Sequence, residues 1–310
     1  MNIAAIGTWV PEERVENAQK LAMFGMDMEF LETKLGFLRR ARKPDGMSAS
    51  DMGVKAFEDL EGRTALDRSA IQLLVVVTQN PDRVIPHTAA IIHEKLGLSG
   101  HCATFDISLA CSGYPHALAA ASAMMKAYSM SCGIIVTADP YERVIDPNDR
   151  GTSMIFGDAA TATLLRQGPG YALRDVSFGT VPGSNGCLWS DPHLAMNGRE
   201  VMSHVAHEVP DAMRTMLGRH GLTPADIPFV AIHQASLHVV EFVRTKLGLA
   251  ETVAPFEAAN NGNSASSSIP LLLSSRINQR LHERVAMCAF GAGFSWATAM
   301  IELESEVTRA

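Results

Sequence analysis

Cys111 lies where a predicted strand, residues 102–110, gives way to a predicted helix, residues 115–130. The free N–H groups and the positive dipole end of a helix N-terminus favour thiolate over thiol, which makes a cysteine there a better nucleophile. The alternative is a buried cysteine that acts only as a small apolar side chain, as most cysteines do. The position makes Cys111 a candidate nucleophile, but position alone does not decide between the two.

Two further residues have types that acyl chemistry uses. His233 follows an apolar run and precedes a polar turn, so it is expected to point into a site; the alternative is a core histidine bonded to backbone. Asn263 lies in an Asn- and Gly-rich segment, residues 260–264, of a kind that is usually only a turn. It holds the place in the second half of the chain that Cys111 holds in the first. If the halves are related by pseudo-symmetry, both residues face one central cleft.

The elements that must position these residues alternate along the chain. Short β-branched runs alternate with Ala- and Leu-rich stretches, which predicts an α/β architecture with covered sheets. The predicted strands are 71–79, 102–110, 133–140, 229–235, 253–259 and two strands around a glycine turn in 284–303, and the predicted helices are 87–97, 115–130, 237–248 and 268–281. The repeated order predicts two related halves, residues 1–165 and 166–310. The irregular stretch 178–195 is predicted to be a loop over the site.

Composition excludes several classes of protein. The 310 residues carry a formal net charge of −7, so bulk attraction to nucleic acid or to an anionic membrane is not expected. The five cysteines are odd in number and contain no CxxC pair, which argues against a zinc site and against a disulfide framework. The N-terminus has no signal-peptide pattern, and the apolar runs have strand length. The expected location is the cytoplasm.

Six motifs in order identify a family. They are FDISLACSGYPHAL around the cysteine, DRGTSMIFGDAATATLL, HLAMNGREV, IHQASLHVV around the histidine, GNSASSSIP around the asparagine, and FGAGFSWATAMIEL. From end to end the chain resembles the type III β-ketoacyl-acyl-carrier-protein synthases of the thiolase-like superfamily. The resemblance implies a five-layered αβαβα fold built from two pseudo-symmetric halves, of which the first carries the cysteine and the second carries the histidine and asparagine.

The resemblance also implies a two-step reaction. Cys111 would take an acyl group from acyl-coenzyme A, and the acyl-cysteine would then undergo decarboxylative Claisen condensation with malonyl-acyl carrier protein to give a 3-oxoacyl-carrier protein. His233 and Asn263 would stabilise the enolate formed by decarboxylation. The backbone N–H groups of Cys111 and Ala292 would form an oxyanion hole. No permanently bound cofactor and no metal ion are implied, since coenzyme A enters as the thioester substrate.

Three residues match the family's coenzyme A contacts. Phe30 and Lys34 lie in the segment that matches the adenine-contacting part of the family, and Arg150 matches a nucleotide-contacting arginine. Phe30 replaces the usual tryptophan and Lys34 the usual arginine. A phenyl ring stacks less strongly than indole, and lysine cannot form a bidentate fork. Binding of coenzyme A is therefore expected to be weaker than is typical of the family, or the acyl donor differs.

Other residues imply partners. Ile85 matches the bulky residue that closes the acyl pocket from the second subunit of a homodimer, which predicts room for a longer or branched primer; ordinary packing at a dimer interface is the alternative. Arg244 and Lys246 are candidates for a basic patch that attracts the acidic carrier protein. Ser236 and His238 depart from the asparagine and arginine of the family pattern. The extender partner therefore stays open between a carrier protein and coenzyme A.

Three other functions compete with condensation. A degradative thiolase needs a second cysteine in the last glycine turn, but that position is Ala289, and Cys288 points the other way along the strand. A specialised-metabolite acyltransferase could use the same acyl-cysteine to acylate, or condense with, an acceptor other than a carrier protein. Asn263 argues against simple transfer, because its family role belongs to decarboxylation. A non-catalytic partner subunit is the third alternative, and the intact Cys–His–Asn set argues against it.

Overall fold

The computed structural model describes residues 1–304. Its strands are β1 (Asn2–Trp9), β2 (Arg14–Glu16), β3 (Arg39–Ala41), β4 (Leu73–Val77), β5 (Ala103–Ile107), β6 (Cys132–Ala138), β7 (Ala160–Arg166), β8 (Gly170–Thr180), β9 (Leu188–Ser190), β10 (Leu194–Met196), β11 (Phe229–Ile232), β12 (Arg284–Gly291) and β13 (Ser295–Glu304). Its α-helices are α1 (Ala18–Phe24), α2 (Met28–Phe30), α3 (Ala49–Arg63), α4 (Thr88–Leu96), α5 (Gly113–Ala127), α6 (Gly198–Gly218), α7 (Leu237–Leu247) and α8 (Ser268–Asn278).

Nine strands form one large sheet in the order β11-β12-β13-β8-β1-β7-β6-β4-β5. Strands β1, β4, β5, β6 and β7 come from the first part of the chain, and β8, β11, β12 and β13 come from the second. The two groups meet only where β1 pairs with β8, through Asn2 opposite Ala172 and Ile3 opposite Tyr171. This short junction lets the sheet fold into two stacked parts.

Helices fill the space between the two parts and cover their outer faces. Helix α5 contacts β4 and β6 on one side and β8, β12 and β13 on the other, while α8 contacts β1, β7 and β11. Helices α3 and α4 cover the first group of strands, and α6 and α7 cover the second. The result is five layers, αβαβα, as the sequence predicted.

One predicted strand is absent from the described residues. Residues 251–254 form a turn, and the chain that follows joins no ladder, although 253–259 was expected to be a strand. Pro255 has no N–H to donate. The side chain of Gln234 takes the place of a neighbouring strand, because its amide group donates to Pro255 O (3.3 Å) and accepts from Glu257 N (2.8 Å).

The other predicted elements are present, within a few residues of their expected ends. Gly97 and Gly248 end α4 and α7 with positive φ angles of 62° and 69°, the usual glycine stop. The division at residue 165 stays a prediction; it falls at the end of β7, and the last six residues of the predicted second half lie outside the described part. Among residues 1–304, no helix is long and apolar enough to cross a membrane.

Candidate active site

Cys111 sits between β5 and α5, and its side chain is only 6% exposed. It packs in a small apolar cluster with Tyr141, Phe156 and Leu194. The end of β12 lies beside it, where a methyl group on Gly291 would be 2.9 Å from Cys111 Cβ and 3.5 Å from Sγ. A side chain at Gly291 would therefore displace Cys111.

The pKa of the Cys111 thiol depends mainly on its burial. Burial raises the pKa of the Cys111 thiol, and the negative charge of Asp139 adds to the effect. At the start of α5, Gly113 N donates to Ala110 O (2.9 Å). Burial and the nearby carboxylate both favour the protonated thiol, while the expected preference of the helix N-terminus for a thiolate stays a prediction.

His233 follows β11 and is completely buried. Its backbone N–H donates to Cys288 O (2.9 Å), and its ring meets Phe290 edge to face at 5.3 Å. Ser268 Oγ accepts from Gln234 N (2.9 Å), which lets its own hydroxyl hydrogen go to His233 Nδ1, 3.0 Å away. A neutral imidazole then carries its hydrogen on Nε2, where it can be donated to a substrate oxygen.

The charge state of His233 follows from its burial, which lowers its pKa to about 3. The pKa of a histidine in an unfolded chain is about 6.5. Between the folded and the unfolded pKa values, the unfolded state therefore binds more protons than the folded state. The free energy of unfolding therefore falls as the pH drops from about 6.5 towards 3, and His233 has no such effect at higher pH. We expect a His233→Gln variant to lose less stability than the native protein between about pH 6.5 and 4.5.

Urea unfolding at several pH values checks this expectation. A His101→Gln variant is the matched control, because His101 is exposed and should keep the native slope. Equal slopes for the native protein and the His233→Gln variant would show that His233 is not held neutral.

Asn263 is fixed from both sides. Its backbone N–H donates to Ile155 O (2.9 Å), and its carbonyl accepts from Gly157 N (3.1 Å). Its Oδ1 accepts from Ala265 N (2.9 Å), and Ala265 adopts a positive φ of 48° to make this turn. Since the oxygen of the side-chain amide is occupied, its NH2 group is the part available to a ligand.

A buried carboxylate, Asp139, supports the same turn. It follows β6 and accepts from Gln79 N (2.7 Å), from Thr78 Oγ1 (3.3 Å) and from Ser266 N (3.4 Å). Asp139 therefore joins the segment after β4 to the turn that holds Asn263. Sequence reasoning missed this residue, although its place after a buried strand was visible.

One cavity of about 830 Å³ brings the predicted residues together. Cys111, His233 and Asn263 all line it. So do Phe30, Lys34, Arg150, Ser236 and His238, which the sequence had singled out around the mouth of the site. The predicted nucleophile, its two partners and the predicted nucleotide contacts therefore face the same space.

Ala292 lies beside this space. It is the first residue of the segment Ala292–Phe294, which directly follows Gly291 and is kinked at Gly293 (φ 124°, ψ −32°). The role of its backbone N–H in an oxyanion hole stays a prediction.

Comparison with known proteins gives the family. A family model described as 3-oxoacyl-[acyl-carrier-protein] synthase III matches residues 105–182, and the model of its C-terminal part matches residues 217–303. The β-ketoacyl-[acyl-carrier-protein] synthase III of Deinococcus deserti is 30% identical, over 96% of this chain and 89% of its own length. The chain belongs to the 3-oxoacyl-[acyl-carrier-protein] synthase III family. It is an acyltransferase-type condensing enzyme, as its motifs predicted.

Solved structures agree with this assignment. The β-ketoacyl-[acyl carrier protein] synthase III of Thermus thermophilus superposes with a TM-score of 0.92 at 30% identity, covering 98% of this chain and all of that one. The priming β-ketosynthase of the R1128 polyketide pathway superposes with a TM-score of 0.87 at 26% identity, covering 98% and 96%. The synthase therefore has the thiolase-like fold of its relatives over its whole described length.

Besides Ala292, three predicted residues do not line the main cavity of the synthase. Ile85 is 82% exposed, on a loop where Val84 is 91% exposed. The side chain of Arg244 is only 14% exposed and points towards Glu241 (3.8 Å). Lys246 is exposed on the same helix, with its ammonium 5.6 Å from the centre of the Phe242 ring. Of the two candidates for a carrier patch, only Lys246 presents its charge to solvent.

Sequence reasoning also missed residues that shape the site of the synthase. The stretch 178–195 is not a plain loop, since its first residues belong to β8 and it contains β9 and the start of β10; Leu188 and Met196 of this hairpin line the main cavity. Arg199 lines it as well and adds a cation to those of Lys34 and Arg150. The motif that contains Arg199 was recognised, but nothing in its spacing showed which side chain faces the cavity.

Tyr141 closes one side of the cluster around Cys111. Its ring stacks on Phe156 at 4.4 Å with an interplanar angle of 16°, and its hydroxyl donates to Gln79 Oε1 (3.3 Å). Phe156 also lines the main cavity, so the stacked pair forms a wall beside the nucleophile. This position leads us to expect that the pair limits the length of an acyl group on Cys111 from within the same chain.

This wall makes a prediction about chain length. We expect Tyr141→Ala to raise kcat/KM for long acyl-coenzyme A relative to acetyl-coenzyme A by roughly 10- to 100-fold, the effect of a few methylene groups in an apolar pocket. Initial rates across a series of chain lengths measure the ratio. Tyr128→Ala is the matched control, because Tyr128 is exposed and its loss should leave the ratio unchanged. An unchanged ratio in Tyr141→Ala would show that another surface limits the primer.

Proposed function

We propose that the synthase transfers an acyl group from acyl-coenzyme A to Cys111 and then condenses it with malonyl-acyl carrier protein. The observation that carries this proposal is the shared cavity, in which Cys111, His233 and Asn263 face the predicted coenzyme A contacts Phe30 and Arg150. The first half of the chain supplies the nucleophile, and the second supplies the histidine and asparagine. Coenzyme A enters as a substrate, and no permanently bound cofactor is needed.

In the first step, Cys111 Sγ attacks the thioester carbonyl of the acyl donor. The new C–S bond forms as the bond to coenzyme A breaks, and the proton of the Cys111 thiol goes to the leaving thiolate. The negative charge that develops on the carbonyl oxygen is stabilised by the backbone N–H groups of Cys111 and Ala292. Removal of one such donor typically costs about 3 kcal/mol of transition-state stabilisation.

In the second step, the malonyl group loses carbon dioxide. The electron pair of the broken C–C bond passes into the thioester as an enolate, and His233 Nε2–H and Asn263 Nδ2–H donate to its oxygen. Because the pKa of His233 is lowered to about 3, the histidine is a neutral donor at physiological pH. The enolate carbon then attacks the acyl-cysteine, and the Cys111 thiolate leaves and is protonated again.

The same proposal implies contacts with coenzyme A, with the carrier protein and with a second subunit. Lys34, Arg150 and Arg199 supply positive charge for the phosphates of coenzyme A and of the carrier's prosthetic group. The exposed apolar loop with Val84 and Ile85 fits a homodimer in which each subunit closes the other's acyl pocket. Large exposed apolar side chains of this kind are typical of interfaces.

A second candidate function is acyl transfer, or condensation, with an acceptor that is not a carrier protein. Its support comes from the cavity mouth, which Ser236 and His238 line in place of the family's asparagine and arginine. The hydroxyl of Ser236 accepts from Val239 N (3.3 Å) and caps α7, so it serves the helix. The two functions share the first step and differ in the loss of carbon dioxide.

Intact-mass measurement after incubation with a panel of acyl-coenzyme A donors tests the first step. We expect one acyl adduct per chain, mapped to Cys111, for at least one donor of the panel. If no acyl-coenzyme A labels Cys111 while an acyl-carrier protein does, the proposed donor is wrong. If neither labels it, the acyl-cysteine mechanism is wrong.

A further inference from the structure

A second cavity, of about 350 Å³, lies on the far side of the Tyr141–Phe156 wall. Three segments of the chain line it, within residues 15–42, 141–147 and 152–158. The first segment brings three cations to the cavity, Lys20, Arg40 and Arg42, and the other two bring the carboxylates Glu142 and Asp158. The condensing reaction uses none of these five charges.

Arg42 and Lys43 hold the two carboxylates in place. Glu142 contacts Lys43 Nζ (3.2 Å) and Arg42 Nε (3.5 Å). Asp158 accepts from the backbone N–H of Lys43 (2.9 Å), and burial raises its pKa to about 6. Among the described residues, neither carboxylate makes an ion pair with Lys20 or Arg40.

Lys20 and Arg40 have no ion pair within residues 1–304. Lys20 Nζ donates to Pro147 O (2.7 Å), while Arg40 donates to Asn17 Oδ1 (2.8 Å) and Phe156 O (3.3 Å). Burial and then the charge of Arg40 lower the pKa of Lys20, and Asp146 opposes them; burial lowers the pKa of Arg40, and Asp158 and Glu142 oppose it. Within the described residues, the direct hydrogen bonds of these two neighbouring cations therefore go only to neutral oxygens.

Ser153 supplies an independent sign of a missing partner. Ser153 is one of the residues around the cavity and is buried, yet its Oγ has no hydrogen-bond partner among the described residues. A buried hydroxyl without a partner is destabilising, and most such groups in folded proteins are paired. The neighbouring hydroxyl of Thr152, in contrast, is bonded to Asp149.

We infer that this cavity binds a small phosphate-bearing anion, held by Lys20, Arg40 and the hydroxyl of Ser153. A dianion would give the two cations a directly bonded anionic partner and would give Ser153 an acceptor. A volume of about 350 Å³ suits a phosphate or a small phosphate monoester, at the lower end of the size of ligand sites. The site is distinct from the one that receives coenzyme A, because the Tyr141–Phe156 wall and residues 147–153 separate them.

Calorimetric titration of inorganic phosphate into the full chain tests the inference. We expect one phosphate per chain, and a Lys20→Gln variant should bind it about tenfold more weakly or worse, because a charge-assisted contact is lost. Lys34→Gln is the matched control; it removes a cation of the larger cavity and should leave phosphate binding unchanged. Priming of Cys111 by acyl-coenzyme A should stay at the native rate in Lys20→Gln, which shows that its fold is intact.

A Ser153→Ala variant gives a second test, which measures Tm without and with phosphate. Without phosphate its Tm should equal or exceed that of the native chain, because an unpartnered buried hydroxyl has been removed. Added phosphate should raise its Tm less than it raises the native Tm. The inference is overturned if Lys20→Gln and Ser153→Ala bind phosphate as the native chain does, or if Lys34→Gln is the variant that loses binding.

Discussion

Replacing Cys111 with alanine is expected to abolish acylation and condensation together, by roughly five orders of magnitude or more, as is usual when a covalent nucleophile is removed. The reason is that the acyl group has no other buried thiol to occupy in the cavity. Cys111 lines it with His233 and Asn263, whereas Cys288 lies inside β12. The variant should fold normally, because alanine fits the small site beside Gly291.

Intact-mass detection of the acyl adduct measures this effect, and Cys288→Ala provides the matched control. Cys288 is as buried as Cys111, and burial raises its pKa to about 12. Its loss should leave acylation at the native rate. Acylation that persists in Cys111→Ala, or disappears in Cys288→Ala, would show that a residue other than Cys111 is the nucleophile.

Replacing Asn263 with aspartate is expected to slow the release of carbon dioxide from malonyl-carrier protein by about 10²- to 10³-fold, the usual effect of removing one oxyanion donor. Aspartate keeps the size of asparagine and keeps an oxygen for Ala265 N. It removes the N–H that would meet the enolate, and it adds a negative charge beside the developing one. Acylation of Cys111 should remain within a few-fold of the native rate, since that step does not use Asn263.

The two half-reactions are measured separately, by carbon dioxide release and by adduct formation. Asn148→Asp is the matched control, because Asn148 is exposed and has no proposed part in either half-reaction. An Asn263→Asp variant with native carbon dioxide release would exclude Asn263 from decarboxylation. A variant that loses both half-reactions equally would point to a structural role for the turn at Ala265.

Much of the fold could be predicted because the local signals agree with the packing. The run Leu73–Val77 is completely buried, and its five apolar residues leave no alternative to a strand covered on both faces. Helix α7 ends where Gly248 allows a left-handed turn. In these cases the residues of one short segment are enough to predict its structure.

Other features could not be predicted because they depend on residues that are far away in the sequence. Residues 253–259 have strand-like composition, but the side chain of Gln234 takes their hydrogen bonds. The pKa of Cys111 is raised by its burial and by Asp139, which lies 28 positions further along the sequence. Tyr141 became part of the site only when its stacking on Phe156 was visible. The types and spacing of Cys111, His233 and Asn263 predicted that these residues share one cavity. They did not predict how burial shifts the pKa values of Cys111 and His233.

The central claim is that acyl-Cys111 is consumed by condensation and not by simple transfer. A single-turnover measurement tests it most directly, with enzyme acylated on Cys111, freed of excess donor and mixed with malonyl-carrier protein. We predict that one carbon dioxide and one 3-oxoacyl-carrier protein appear for each acyl adduct that is lost. Loss of the adduct to the acceptor without release of carbon dioxide would contradict the account and would favour the acyltransferase alternative.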